Sequence, residues 1–523
     1  MSAPRAVRTL MVGLALAAST LLAGCSDNES TTTPAPPRVT PFVGAAPREA
    51  VTATATVVTL PPGTPLSDER AREVLALLLD DPPDPVDLAE AFEEIRRERD
   101  VRFVAPLIEI VRATNTKIVH MDASYVALLE ELTGQRYGRA WDRWATWYGG
   151  TTLTPPPGFL AWKGALLAGI DPRFADFLRE DAPSTIRVES IVWGAVPVDG
   201  ITPLDQPPAI PAEAATYLLP EEPVFGLVVN GEARAYPFRI MDAHEMANDT
   251  LGGVPIALAY CTLCGSGIAY DRRGADGTLY SFSTSGLLYE NNKLMYDRQT
   301  NTLWQQFTGR PAIGPLVEAS AGTDGPWLTV LPVVVATWES WRTAHPETTV
   351  LDLETGIGSG YTPGHPYLQY FTSGDLFYPL ARRSADLIAK AWVFGLRVGD
   401  ATKVYTLRGA VRRGVTNDRV GDVDVVVVGF GDAIEVAADG GPAGELTYIA
   451  GGEVRAYERP ASLNFAPGPE PFTILDHRGR GWAVTEEALV GPDGERAPRL
   501  VGHVSYWFPW YSAYPDTEIY QAP

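Results

Sequence analysis

Cysteine is scarce in this chain: three residues in 523. That count excludes a disulfide-stapled scaffold, which needs several pairs at short spacing. Basic charge is short as well, with 42 Lys and Arg against 64 Asp and Glu, a net charge of −22. A chain of that sign lacks the basic face that phosphate requires, which excludes nucleic acid as a partner. It also argues against lying flat on anionic lipid. No run reaches the roughly 18 apolar residues of a membrane-spanning helix. Gly-x-Ser-x-Gly and phosphate-loop spacings are missing too, so no nucleophile, base and orienter set suggests a hydrolase. The length does allow two or three domains with real cores.

What is present begins with an address. Arg5 and Arg8 precede an apolar run from Leu10 to Leu22, which ends in Leu22-Ala23-Gly24-Cys25. Small residues before a cysteine are what a lipoprotein signal peptidase needs. The expectation is a signal peptide over 1–24, a lipid on Cys25, and an extracytoplasmic protein anchored to the cell membrane. Cleavage would remove two arginines, leaving 40 basic against 64 acidic residues and a net charge of −24. Residues 25–58, rich in Thr, Pro and Ala, read as a disordered stalk.

Helical periodicity follows over 59–150. Val74, Leu75, Leu78 and Leu79 fall on one face; Phe103, Val104, Leu107, Ile108 and Val111 form a second; Leu128, Leu129 and Leu132 form a third. Ser67 before Asp68 and Glu69 predicts a capped helix start. Paired short helices suggest a HEAT-like helical repeat. Trp141, Trp144, Trp147 and Tyr148 cluster at helical spacing and read as core or domain contact. Residues 151–221 are Pro-rich and read as an irregular connection.

From Val224 the pattern turns to β. Asn230-Gly231 between two alternating runs is a hairpin signal. The pattern then repeats. Val-Phe-Gly-Leu at 224–227 returns at 393–396, Asn248-Asp249 returns as Asn417-Asp418, and Trp338, Trp341, Pro346 and Thr348 return as Trp507, Trp510, Pro515 and Thr517. Each pair is 169 residues apart. Trp304 matches Trp482 at a shifted offset. The predicted fold class is therefore α+β: a small helical domain, then β-rich units over 222–352 and 391–521. At the common offset His244 meets Arg413, Glu245 meets Gly414 and Cys261 meets Phe430. Features in both copies read as scaffold, and those in the first alone as the candidate site.

That site centres on Cys261-Thr262-Leu263-Cys264. Two cysteines so spaced can cycle between dithiol and disulfide, hold a soft metal such as copper or zinc, or form a static bridge. A strand, Ile256 to Tyr260, leads in, and a turn and strand lead out. The helix N-terminus that activates thioredoxin-type thiols is therefore missing. Activation would need a neighbouring group, and His244-Glu245 lies just upstream. His244 with Cys261 and Cys264 would supply three metal ligands, with Glu245 a fourth or an orienter. Asp297 and Arg298 read as a turn pair, and His345 as a helix exit.

Ala235-Tyr236-Pro237, His244-Glu245 with Asn248-Asp249, Gly252-Gly253-Val254-Pro255, Tyr260-Cys261-Thr262-Leu263-Cys264-Gly265, and Met295-Tyr296-Asp297-Arg298 with Leu303-Trp304 resemble the bacterial and archaeal domain-of-unknown-function family 3179. The resemblance covers most of 190–350 and, more loosely, the second copy. Some members carry selenocysteine in the Cys motif, which implies a reactive or metal-binding chalcogen at Cys261 or Cys264. Thr262 stands where the family usually has proline. The resulting expectation is a lipid-anchored thiol redox or metal protein, Cys261 attacking and Cys264 resolving in the redox version. The alternative is a non-catalytic envelope scaffold with a structural disulfide, docking a partner through its helical region.

Overall fold

A computed structural model describes residues 63–522, apart from 81–82, 116–122, 275–276, 320–324, 326 and 359. The leader, Cys25 and the stalk lie outside the described residues. Among the described residues no helix is long and apolar enough to cross a membrane.

The N-terminal part is helical and the C-terminal part β-rich. Ser67 accepts a hydrogen bond from the Arg70 amide at 3.2 Å and starts Asp68–Leu77. Asp84 accepts from the Val86 amide at 2.8 Å, with Pro85 at the first helical position, and starts Pro85–Glu98. Val104–Asn115, Ala123–Thr133 and Trp141–Gly149 follow. Val74, Leu75, Leu107, Val111, Leu128 and Trp144 share one core. Each such core residue contributes about 1.5–3 kcal/mol through burial.

The connection is more ordered than its sequence predicts. Phe159–Ala168 is a helix whose Phe159, Trp162 and Leu166 join the same core. It is apolar almost all round, so it shows no single face in the sequence. Its Lys163, with 0% exposure, holds Glu109 at 2.9 Å and donates to the carbonyls of Val188 and Ile191. This ammonium joins the helices to the first strand, Ile191–Trp193.

Five strands in the order Leu204–Asp205, Met246–Leu251, Val254–Cys261, Ser266–Asp271, Thr329–Leu331 form one sheet. A second carries the hairpin Phe282–Tyr289 and Asn292–Asp297. In a third, the hairpin Pro223–Val229 and Glu232–Pro237 turns at Asn230 and Gly231, both at positive φ as such a tight turn requires. It is flanked by Val334–Thr337, antiparallel, and Thr349–Leu351, parallel. Trp392–Val398 and Ala401–Thr406 are flanked in the same senses by Gly502–Tyr506 and Glu518–Ile519.

Matching side chains do matching work. The Asn248 amide bridges the backbone of Phe282 at 2.8 and 2.9 Å, and the Asn417 amide bridges that of Phe465 at 2.8 and 2.8 Å. Tyr236 donates to Asp249 at 2.7 Å, and Tyr405 to Asp418 at 2.8 Å. Trp341 lies so close to Gly226 that a Cβ there would stand 2.2 Å from its ring; Trp510 and Gly395 repeat this at 2.1 Å. Only glycine fits beneath either indole.

Candidate functional site

The strand Val254–Cys261 ends in a single 3₁₀ turn, Thr262–Cys264, and Gly265 at φ +60° reverses the chain into Ser266–Asp271. A side chain on Gly265 would collide with the Trp392 ring at 2.5 Å. Gln306 clamps the base of the loop. Its amide donates to the carbonyls of Ala259 at 2.9 Å and Ser266 at 3.0 Å.

Both thiols are free and buried, Cys261 2% and Cys264 0% exposed. They converge on the Asn291 carbonyl, with Cys264 Sγ at 3.3 Å and Cys261 Sγ at 3.8 Å. Asn292 Nδ2 lies 3.4 Å from Cys264 Sγ and donates at 2.7 Å to Gln306. Burial pushes the Cys264 thiol well up, and the hydrogen-bonding Cys261 sulfur adds to this; the Asn292 amide opposes it. Cys264 therefore holds its proton more firmly than a free thiol does.

The predicted helpers are placed differently. Glu245 lies beside the loop but acts through its middle. One carboxylate oxygen accepts from the Thr262 hydroxyl at 2.8 Å and Tyr367 at 2.7 Å, while the other holds Lys293 at 2.7 Å. His244 turns away from the sulfurs. Its Nδ1 meets the Thr202 carbonyl at 2.7 Å and its Nε2 the Tyr361 hydroxyl at 2.6 Å. A carbonyl only accepts, so Nδ1 carries the proton. Burial lowers the His244 pKa, favouring the neutral ring. A Cys261, Cys264, His244 metal set is therefore not assembled. Among the described residues no group of three or more His, Cys, Asp or Glu side chains is arranged to hold a metal ion.

Several site residues escape the sequence reading. Glu290 and Asn291 form the tip of the Phe282–Tyr289 and Asn292–Asp297 hairpin, both non-glycine at positive φ, 51° and 63°. Such a turn favours Asn-Gly, and Glu in that conformation costs about 1–2 kcal/mol. The Glu290 carboxylate accepts from the amides of Ala381 at 3.0 Å and Arg382 at 3.4 Å. Burial still raises its pKa. The turn touches two cavities. One, of about 40 Å³, is lined by Glu109, Tyr148, Glu189, Glu290 and Asn291. The other, of about 210 Å³, is lined by Glu290, Asn292, Gln305, Phe307, Arg382 and Ser512, so Asn292 stands between it and Cys264. The segment 361–392 closes the opposite side. Tyr370 donates to the Leu263 carbonyl at 2.8 Å, and Lys390 holds the carbonyls of Tyr370 and Ser373.

Asp242 is a further buried acid, close in sequence to Glu245. Burial pushes its pKa well above the usual range, opposed by hydrogen bonding from Tyr260 and the Gly364 backbone and reinforced by the nearby Glu245 charge. Its neighbours Tyr260, Tyr448 and Tyr506 line a cavity of about 10 Å³, the size of one water.

Helices, sheets and the buried dithiol define a mixed α-helical and β-rich protein whose distinctive chemistry sits on a strand-to-strand loop. The chain belongs to the family described as protein of unknown function, DUF3179, whose model matches residues 198–517. That stretch takes in the cysteine loop, the hairpin turn and the covering segment. No curated protein and no solved structure matches the chain.

Proposed function

We propose that this chain is an exported lipoprotein, anchored through Cys25, that exchanges disulfides with envelope thiol proteins through Cys261 and Cys264. One observation carries the reading: two free thiols converge on a single carbonyl, one side chain from a cavity of about 210 Å³. Cys261 Sγ attacks one sulfur of a partner disulfide, and the partner's other sulfur leaves as a thiol with the Cys261 proton. Cys264 then attacks the mixed disulfide, closes the Cys261–Cys264 bond and releases the partner's second thiol. One dithiol is oxidised and one disulfide reduced, so two electrons and two protons move together.

In this reading residues 222–352 and 391–521 are two copies of one unit, supported by the matched Asn, Tyr–Asp and Trp–Gly contacts. The first copy holds the dithiol, and the second, with Phe430 at the position of Cys261, buttresses it. The helices act as a HEAT-like docking domain, and residues 25–58 as the stalk.

A second reading has its own support. Both sulfurs are buried, and the Cys264 thiol is pushed up rather than down, which suits an inert pair inside a non-catalytic scaffold. The full lipoprotein in detergent, equilibrated in glutathione buffers and quenched for thiol counting, separates the two. A reversible change between zero and two thiols, at a potential between about −120 and −300 mV, supports exchange. Thiols that never oxidise, or a bridge that resists dithiothreitol, leave the scaffold reading.

A further inference from the structure

A further cavity lies away from the thiols, where Ser266–Asp271 and the 307–310 turn face Trp392–Val398 and Gly502–Tyr506. It encloses about 250 Å³, several times what one water needs. Phe307, Trp327, Trp510, Tyr514 and His503 supply ring walls. His503 lies edge-on to Phe307 at 5.0 Å, and Arg310 stacks over Trp327 at 4.0 Å.

Its unsatisfied polar groups can all donate a hydrogen bond. Thr308 Oγ1, Trp327 Nε1 and His503 Nε2 are buried and have no hydrogen-bond partner. Buried polar atoms left unpaired each cost about 1–3 kcal/mol, and these three face one space. Arg310 and Arg397 stand at its mouth, both exposed, neither with a carboxylate partner among the described residues. Among the described residues no Asp or Glu lines the cavity, although acids outnumber bases by 22 in the whole chain. Two guanidiniums and three unsatisfied groups able to donate select an acceptor-rich anion. The aromatic walls select a flat ring beside it.

From this arrangement we infer that the cleft between Arg310 and Arg397 is a binding site for a small organic carboxylate carried on a ring. The ring packs between Trp327, Phe307 and Trp510, and the carboxylate is held by the arginines, with Thr308, Trp327 and His503 donating from the wall. Two sources share this chemistry: an acidic sugar, whose apolar face stacks on aromatics, and an aromatic acid. The site does not depend on the thiol reading, since no cysteine lines it.

The test uses the full lipoprotein in detergent, titrated calorimetrically and by tryptophan fluorescence with glucuronate and with benzoate. Methyl glucoside and benzamide are the neutral counterparts. The expected result is saturable binding of one acid, at least tenfold tighter than its neutral counterpart and weakened tenfold or more in the Arg310→Gln/Arg397→Gln variant. Glucuronate alone identifies a sugar-acid site, and benzoate alone an aromatic-acid site. Both arginines are exposed, so the variant should keep the parent's circular dichroism and melting temperature. If it unfolds, Arg310→Lys is titrated instead, where loss of the two-pronged contact should still weaken binding. No saturable binding to 10 mM (~3 kcal/mol), equal affinity for acid and neutral counterpart, or undiminished affinity in the variants overturns the inference.

Discussion

The Thr262 hydroxyl donates to the Glu245 carboxylate at 2.8 Å. The residue between the two cysteines is thereby fastened to a buried ion pair, because Glu245 also holds Lys293 at 2.7 Å. Thr262 thus has a use that proline could not serve. The cysteine loop sits on an electrostatic pedestal rather than on a helix N-terminus.

The pedestal gives the first prediction. Lys293→Met leaves Glu245 charged and uncompensated with 7% exposure. Removing one partner of such a pair costs about 3–5 kcal/mol. Adding Glu245→Gln should restore much of that loss, because the stranded charge is gone. Urea denaturation of the three proteins measures both effects. Equal stability of Lys293→Met and the parent would mean that the ion pair does not support the loop.

The second prediction concerns access to the thiols. Asn292 lies between Cys264 and the 210 Å³ cavity. Asn292→Ala should open that path and raise the rate at which iodoacetamide alkylates Cys264 by about tenfold at pH 8. In the parent, Cys264 should label more slowly than Cys261, since burial and the neighbouring sulfur keep it protonated. Peptide mapping of labelled protein reads both. An unchanged rate in Asn292→Ala would place the entrance elsewhere.

Legibility in the sequence divides along a physical line. The Asn230-Gly231 turn, the Ser67 cap and the strand before Cys261 were readable because each is set by residues adjacent in sequence. The closeness of the Cys261 and Cys264 sulfurs, which meet at the Asn291 carbonyl, follows from their spacing in the same way. Lys293, Gln306, Asn291 and Tyr367 reach the loop only through tertiary packing, and nothing near Cys261 announces them. The Glu290-Asn291 turn was hidden because it lacks the glycine that marks such turns. His244 was the reverse case: near in sequence and of suitable chemistry, it is held by Thr202 and Tyr361 on the other side of its strand entry.

A third prediction follows from Asp242. Its folded pKa is raised by burial, so the folded state retains a proton that the unfolded chain releases. The contribution to stability is full below the unfolded value near 4 and is lost as pH rises toward the folded value. Asp242→Asn keeps the size and removes the titration. It should match the parent near pH 4 and be the more stable of the two at pH 7. Thermal melts across that interval decide; an Asn variant less stable at pH 7 would mean that the carboxylate has a use when ionised.

The last prediction joins stability to the proposed anion site. Burial, with Arg397 adding, lowers the His503 pKa to about 3. Arg310 and the Tyr514 hydroxyl also line this cavity, and neither offers His503 a negative partner. The unfolded chain takes up the proton below about 6.5 while the folded chain refuses it, so stability falls as pH drops from there toward 3. Between pH 6.5 and 5 the loss from this residue is about 2 kcal/mol, at about 1.4 kcal/mol per pH unit. His503→Phe keeps a ring against Phe307 and Trp510 and cannot be protonated. The difference in unfolding free energy between parent and variant should therefore shift with pH in this window and hold constant above it. A bound carboxylate would supply the missing negative charge, raise the His503 pKa and shrink the parent's loss at pH 5. Parallel pH dependences in parent and variant would show that His503 is charged, or exposed, in the folded protein. A parent whose acid sensitivity is unaltered by saturating carboxylate would show that the anion binds away from this ring.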